Sequence, residues 1–248
     1  MAGTCRSPEF TAVAPGPARL APRLNVGWLV LPYGGYVSKL RFRISMSLDG
    51  FVAGPSQSLD NPIGIGGMRL HEWAFPLSIW REMHGLGGGE VNESTEVVEQ
   101  SLANIGATVM GRNMFGGQPG PWTTWTGWWG ANPPFHHPVF VLTHHAREPL
   151  KMEGGTTFIF VTGGIRSALE QAQRAAGAKD VSLAGGANVA RQCLASGAVD
   201  EMEISLVPVL LGKGERLFEG LGDDLHGLEL VRTVAAPKVT HLKFARRS

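Results

Sequence analysis

Cysteine is almost missing from this chain. Its 248 residues include two, Cys5 and Cys193. Two cannot make a disulfide framework, and their separation is no metal-ligand spacing, so the sequence points to a reducing, cytoplasmic setting. Charge of one sign is missing as well. A net charge of +1 gives no argument for nucleic acid or for an anionic membrane surface. No apolar run approaches the roughly 18 residues that a membrane-spanning helix needs. Three site signatures are also absent. No G-x-G-x-x-G follows a predicted strand, and neither a Walker-type phosphate loop nor a G-x-S-x-G elbow occurs. The histidine pairs His136–His137 and His144–His145 bracket one predicted strand, which separates them by roughly 20 Å. Adjacent histidines also point to opposite faces of a strand, so no mononuclear metal site is predicted.

What is present is an ordinary globular balance, with 43% hydrophobic and 17% charged residues. Glycine is abundant at 34 residues, which predicts many tight turns or close backbone approaches. Residues 1–38 differ from the rest. They carry five prolines, one acid and no hydrophobic period. They are expected to be a disordered extension, or to be translated from an upstream start with Val37 as the alternative first residue.

From Lys39 the chain alternates elements. Leu40, Phe42, Ile44 and Met46 recur at the strand period of two. "LDGFVAGP" then reads as a loop, and residues 55–92 as a glycine-rich insert with a short helix. Val97, Val98, Leu102 and Ile105 recur at helical spacing after a cap at Asn92 or Ser94. Strands follow at "ATVMG", "PVFVLT", "TTFIFVT", "DVSLAG" and "VDEMEISLVPVLLG". Helices are predicted at "GGIRSALEQAQRAAG" and "ANVARQCLASG", with an antiparallel pair at the end. Strands alternating with helices imply an α/β fold with a mostly parallel central sheet and helices on both faces.

Three strand ends carry candidate chemistry. At Gly185–Gly186 a strand hands over to a helix. The turn is either merely tight, or it lets an anion reach the free amides of the helix start. "TVMGRNMF" delivers Gly111 and Arg112 to another helix start, where a guanidinium can fork onto a phosphate. "FVLTHH" ends on Thr143 and His144 at a carboxyl edge, where open α/β sheets bind ligands. The loop "PWTTWTGWWG" holds four indoles. They either pack on one another or wall a pocket for an aromatic ligand.

In this order, "ISMSLDGFVAG", "VMGRNMF", "FVLTHH", "VSLAGGANVARQCL" and "VDEMEISLVPVLLGKGERLF" resemble the dihydrofolate reductase superfamily. The resemblance is nearest to the reductase domain of the bifunctional riboflavin-biosynthesis deaminase-reductase and its stand-alone relatives. It implies a sheet of about eight strands with an antiparallel C-terminal strand, a reductase domain over 39–248, and NADPH as cofactor. The implied cofactor residues are Val52, Ala53, Gly111, Arg112, Thr143, His144, Gly185, Gly186, Ala187, Asn188 and Val189. Trp128 and Trp129 are the expected substrate wall. The family acid falls on Thr95, a departure, so Asp49 and Glu96 become the catalytic candidates, with Glu93 and Glu72 behind them. The deaminase signature H-x-E with P-C-x-x-C is missing, so the chain cannot perform both riboflavin steps alone. The resemblance implies hydride transfer to a small heteroaromatic or carbonyl substrate, by default the phosphoribosylamino-uracil of riboflavin synthesis, with a pterin second. The alternative is a non-catalytic NADP(H)-binding or redox-sensing module. Relatives are often homodimers, and a homodimer is expected here.

Overall fold

The structure is a computed structural model, and it describes residues 38–117, 119–222, 225 and 227–246. The expected N-terminal extension therefore lies outside the described residues, apart from Ser38.

Elements run in the order β1 (Leu40–Ser47), β2 (Phe51–Ala53), α1 (Ser78–Met83), α2 (Glu93–Leu102), β3 (Ile105–Gly111), α3 (Arg112–Phe115) and β4 (Pro138–Leu142). They continue with β5 (Leu150–Lys151), β6 (Thr157–Val161), α4 (Gly164–Ala176), β7 (Asp180–Gly185) and α5 (Ala187–Ala195). The chain closes with β8 (Glu201–Val207), β9 (Glu215–Arg216), β10 (Leu228–Ala236) and β11 (Val239–Arg246). The main sheet has nine strands in the order β10-β11-β8-β1-β7-β3-β4-β6-β5. From β8 to β6 all neighbours are parallel, and the antiparallel strands β11, β10 and β5 sit at the edges. The two-residue β5 is too short to leave a period in the sequence, which accounts for a ninth strand in the main sheet. β9 pairs with β2, so "LDGFVAG" is a turn followed by a pinned strand rather than an open loop.

Alternation along the strands sorts the two faces. Leu40, Phe42, Val109, Leu183 and Ile204 join one core with α4 and α5, through Ala168, Ala172 and Ala190. On the opposite face, His241 accepts or donates between Ser205 Oγ at 3.0 Å and Ser94 Oγ at 2.9 Å, tying the sheet to α2. Asn92 caps α2 as expected. Its side chain accepts from Ser94 N–H, and Thr95 Oγ1 accepts from Asn92 N–H.

One break in the sheet matters most for the site. β1 pairs with β7 only over Leu40–Phe42, whereas its pairing with β8 runs on to Ser47. β7 stays with β3 up to Gly185. Beyond Phe42 the carboxyl halves of β1 and β7 therefore part, and a cleft opens in the middle of the sheet.

Candidate active site

A groove of about 1750 Å³ occupies this cleft. Small-molecule pockets usually run to about 300–1000 Å³, so this one has room for a dinucleotide and a second molecule. Its floor is the polar face of the sheet, with Arg43 and Ser45 from β1, Ser205 from β8, Ser182 from β7 and Thr108 from β3. The period of two that buries Phe42 and Leu183 on one face turns these residues to the other.

The groove takes in all of the predicted cofactor residues. Val52, Ala53, Gly111, Arg112, Thr143, His144 and the run Gly185–Val189 all line it. Gly185 has φ +106°, a conformation that favours glycine, and its peptide to Gly186 is cis. Gly186 has φ −73°, open to any residue, and a Cβ there would meet nothing within 4 Å. Its φ does not require glycine, and no group beyond its chain neighbours occupies the place of a side chain. The space above it belongs to the groove, and it leads onto the first amides of α5, which have no intrahelical acceptor. Gly111 is different. A Cβ there would come within 2.9 Å of Val189 Cγ2, so this glycine lets α5 close on β3. Asn188 is held within α5, its Oδ1 accepting from Gln192 at 2.6 Å.

Arg112 is fixed by an indole that the sequence did not single out. Its guanidinium lies 3.3 Å from the centre of the Trp122 ring. Nη1 also donates to Thr143 Oγ1 at 3.5 Å, the long end of the range. Trp122 in turn donates to the His145 carbonyl at 2.7 Å. Burial, and then the nearby Arg147 charge, pull the Arg112 guanidinium below its usual range.

The tryptophan loop is pinned by its own side chains. Trp125 Nε1 donates to the Phe115 carbonyl and Trp128 Nε1 to the Met114 carbonyl, both at 3.0 Å. Trp129 packs against Phe135 and Phe158. Trp128 and Trp129 nonetheless present surface to the groove. The histidine pairs are also engaged. His137 shares a 2.7 Å hydrogen bond with Thr108, and His136 one of 2.8 Å with the Gly154 carbonyl.

The catalytic candidates fall elsewhere. Asp49 does not line the groove. Its carboxylate accepts from Ser47 Oγ at 2.6 Å, Gly212 N–H at 2.7 Å and Leu211 N–H at 3.1 Å. The Ser47 hydroxyl, followed by these two amides, holds it down at about 2. A carboxylate that accepts from three donors of its own loop and of residues 211–212 serves in this structure as a turn anchor. Glu96 also lies off the groove, exposed on α2 and accepting from Gln100 at 2.8 Å. Glu93 is exposed, Thr95 is engaged in the cap, and Glu72 does not reach the groove. Among the described residues, the carboxylates that do reach it are Glu82 and Glu215, the latter 3.6 Å from Arg191.

The model of the RibD C-terminal domain family matches residues 38–242. A Shewanella sp. PV-4 protein named for riboflavin biosynthesis has the same fold, with a TM-score of 0.55 at 21% identity over 85% of this chain and 99% of its own. A Thermotoga maritima deaminase/5-amino-6-(5-phosphoribosylamino)uracil reductase aligns with TM-score 0.48 at 12% identity, over 85% of this chain and 57% of its own. No curated protein matches the sequence.

Proposed function

Since the chain belongs to the RibD C-terminal domain family, and so to reductases of the dihydrofolate reductase-like type, we propose that it is an NADPH-dependent enzyme acting on a small heteroaromatic or carbonyl substrate. The observation that carries this reading is Gly186. No group beyond its chain neighbours fills the place of a side chain there, and that open space leads to the α5 amides. Those amides would hold the pyrophosphate, with the helix dipole in support. Arg112, held flat on Trp122, would take a second phosphate. Thr143 would anchor the ribose edge, and Val52 and Ala53 would flank the ring that reacts. When bound, NADPH supplies the hydride. The protein's part is to orient both molecules across the cleft and to exclude water with the tryptophan loop and the 63–84 segment. The uracil intermediate of riboflavin synthesis is the first substrate to try and a pterin the second. The active form is proposed to be a homodimer, which light scattering of the full chain tests.

The decisive experiment replaces Gly186 with Val. NADPH affinity should fall at least tenfold, on the order of 1.4 kcal/mol or more. The melting temperature should stay, because the new side chain enters open space. A folded variant with unchanged NADPH affinity overturns the reading. Neither Asp49 nor Glu96 reaches the groove, which keeps a second reading alive, a module that binds NADP(H) without turnover. Stopped-flow oxidation of NADPH against a panel of pyrimidines and pterins separates the two.

A further inference from the structure

The strand that carries Val52 and Ala53 is not part of the main sheet. β2 has three residues, β9 has two, and the pair forms a small sheet of its own. Phe51 lies opposite Arg216, and Ala53 opposite Glu215. A two-stranded ribbon this short is not stable in water by itself, so its position depends on ties to the rest of the protein.

Two arginines supply those ties. Arg191 stands on α5, one helical turn past Ala187, and lines the groove. Its Nη1 donates to the Arg216 carbonyl at 2.5 Å, and its Nη2 lies 3.6 Å from the Glu215 carboxylate. Arg216 continues the line. Its Nη1 donates to the Asp49 carbonyl at 2.9 Å, and its guanidinium lies 4.3 Å from the centre of the Phe51 ring. The buried Leu217 adds a 3.3 Å bond from its N–H to the Gly50 carbonyl. Contacts thus run from α5 through β9 to the turn before β2. Because β2 follows β1 and α5 follows β7, this clasp spans the cleft where β1 and β7 part. Arg216 itself does not line the groove. Whatever it does to a bound molecule is done through β2.

We propose that Arg216, clasped by Arg191, is a positioning residue that sets where the nicotinamide half of the cofactor lies relative to the pyrophosphate at α5. The proposal rests on the reductase reading. A strand held in place before binding spares the ligand the entropy of ordering it, so loosening the clasp should weaken the ring end alone.

The test compares two ligands on the full chain, NADPH and 2′-phospho-ADP-ribose, which lacks the nicotinamide. Calorimetric titration should show NADPH binding the wild-type protein about tenfold more tightly, the contribution of a seated ring. Arg216→Met should bring that ratio down to about one and leave the affinity for 2′-phospho-ADP-ribose within about twofold. Arg216→Lys keeps a cation for Phe51 and a donor for Asp49, and should restore most of the ratio. A merely structural arginine would lower the melting temperature of Arg216→Met and leave the ratio as it was, which overturns the proposal. Hydrogen exchange of the wild-type protein checks it without a variant. The Leu217 amide should exchange more slowly with NADPH bound and at an unchanged rate with 2′-phospho-ADP-ribose. Equal slowing by both ligands, or equal affinity of the wild-type protein for both, overturns the clasp and leaves cofactor binding in place. Failure of both ligands to bind the wild-type protein sinks the reductase reading itself, and the clasp with it.

Discussion

Asp49 shows how one residue type supports opposite readings. A carboxyl after a strand and before a glycine can be an acid beside a reactive ring or a turn anchor. The difference lies in Leu211 and Gly212, which are about 160 positions away in the chain and donate to it. Nothing local to "SLDG" carries that information. Its depressed value has a thermodynamic consequence. The folded carboxyl titrates near 2, against an ordinary 3.8. Its contribution to stability is therefore fully present above about pH 4 and is lost as pH falls toward 2. Thermal melting of Asp49→Ala should show a lower midpoint than the wild type at pH 5–7, with the gap closing between pH 4 and 2. A constant gap across that window would contradict the anchoring role. Cys193 gives a second check at this scale. It is fully enclosed among α5 neighbours, and burial pushes its thiol up to about 12. Only the thiolate reacts, so iodoacetamide at pH 8 should leave Cys193 unmodified in the native protein and label it in urea. Peptide mass spectrometry reads the outcome.

At the scale of elements, spacing was a good guide where one period dominated. β1, α4, α5 and β8 carry clean periods, and their apolar faces are the ones found in the core; on α2 only Val97 and Val98 of the expected face are buried, Leu102 being exposed and Ile105 opening β3. Arg43 was legible in the same way, because alternation sets it on the face opposite Phe42. What alternation cannot reveal is that Glu203, opposite Arg43, also pairs with Arg232 from β10. The tryptophan loop marks the limit of pattern reading. It has no period, and its order comes from indole N–H groups meeting carbonyls of α3 and of the strand end. Trp122 is the member that bears on the cofactor end, through Arg112. Cation–π contacts contribute about 0.5–2 kcal/mol, the larger figure when desolvated. Trp122→Leu should thus weaken NADPH binding by roughly three- to thirtyfold, since the guanidinium loses its rest position. Trp125→Leu should weaken it less, because Trp125 touches α3 and Trp128 rather than Arg112. Fluorescence titration of both variants compares them directly, and equal losses would deny Trp122 its special place.

For the molecule as a whole, the parallel sheet followed from strand–helix alternation, but the cleft did not. The cleft exists because β1 leaves β7 after Phe42 and keeps β8, a choice of partners between strands far apart in sequence. The same architecture collects neutral histidines around the polar face. His71, His137 and His241 come from the insert, the loop before β4 and β11, and each is drawn down to about 4, with burial as the first cause. In the unfolded chain each would titrate near its ordinary 6.5. The sign follows directly. Below about pH 6.5 the unfolded chain takes up protons that the folded protein refuses, so stability is fully present above 6.5 and declines as pH falls toward 4. Each refused proton contributes at most about 1.4 kcal/mol per pH unit. Solvent screening reduces the shares of His71 and His137, which are less enclosed than His241. Urea unfolding at half-unit steps from pH 7.5 to 4 should show a midpoint that is level above about 6.5 and falls steadily below it. His241→Gln keeps polar atoms between Ser94 and Ser205 while removing the titration, so it should flatten part of that slope. A midpoint independent of pH from 7 to 4.5 would mean that these histidines accept protons in the folded protein, and that the polar face beneath α2 is open to water.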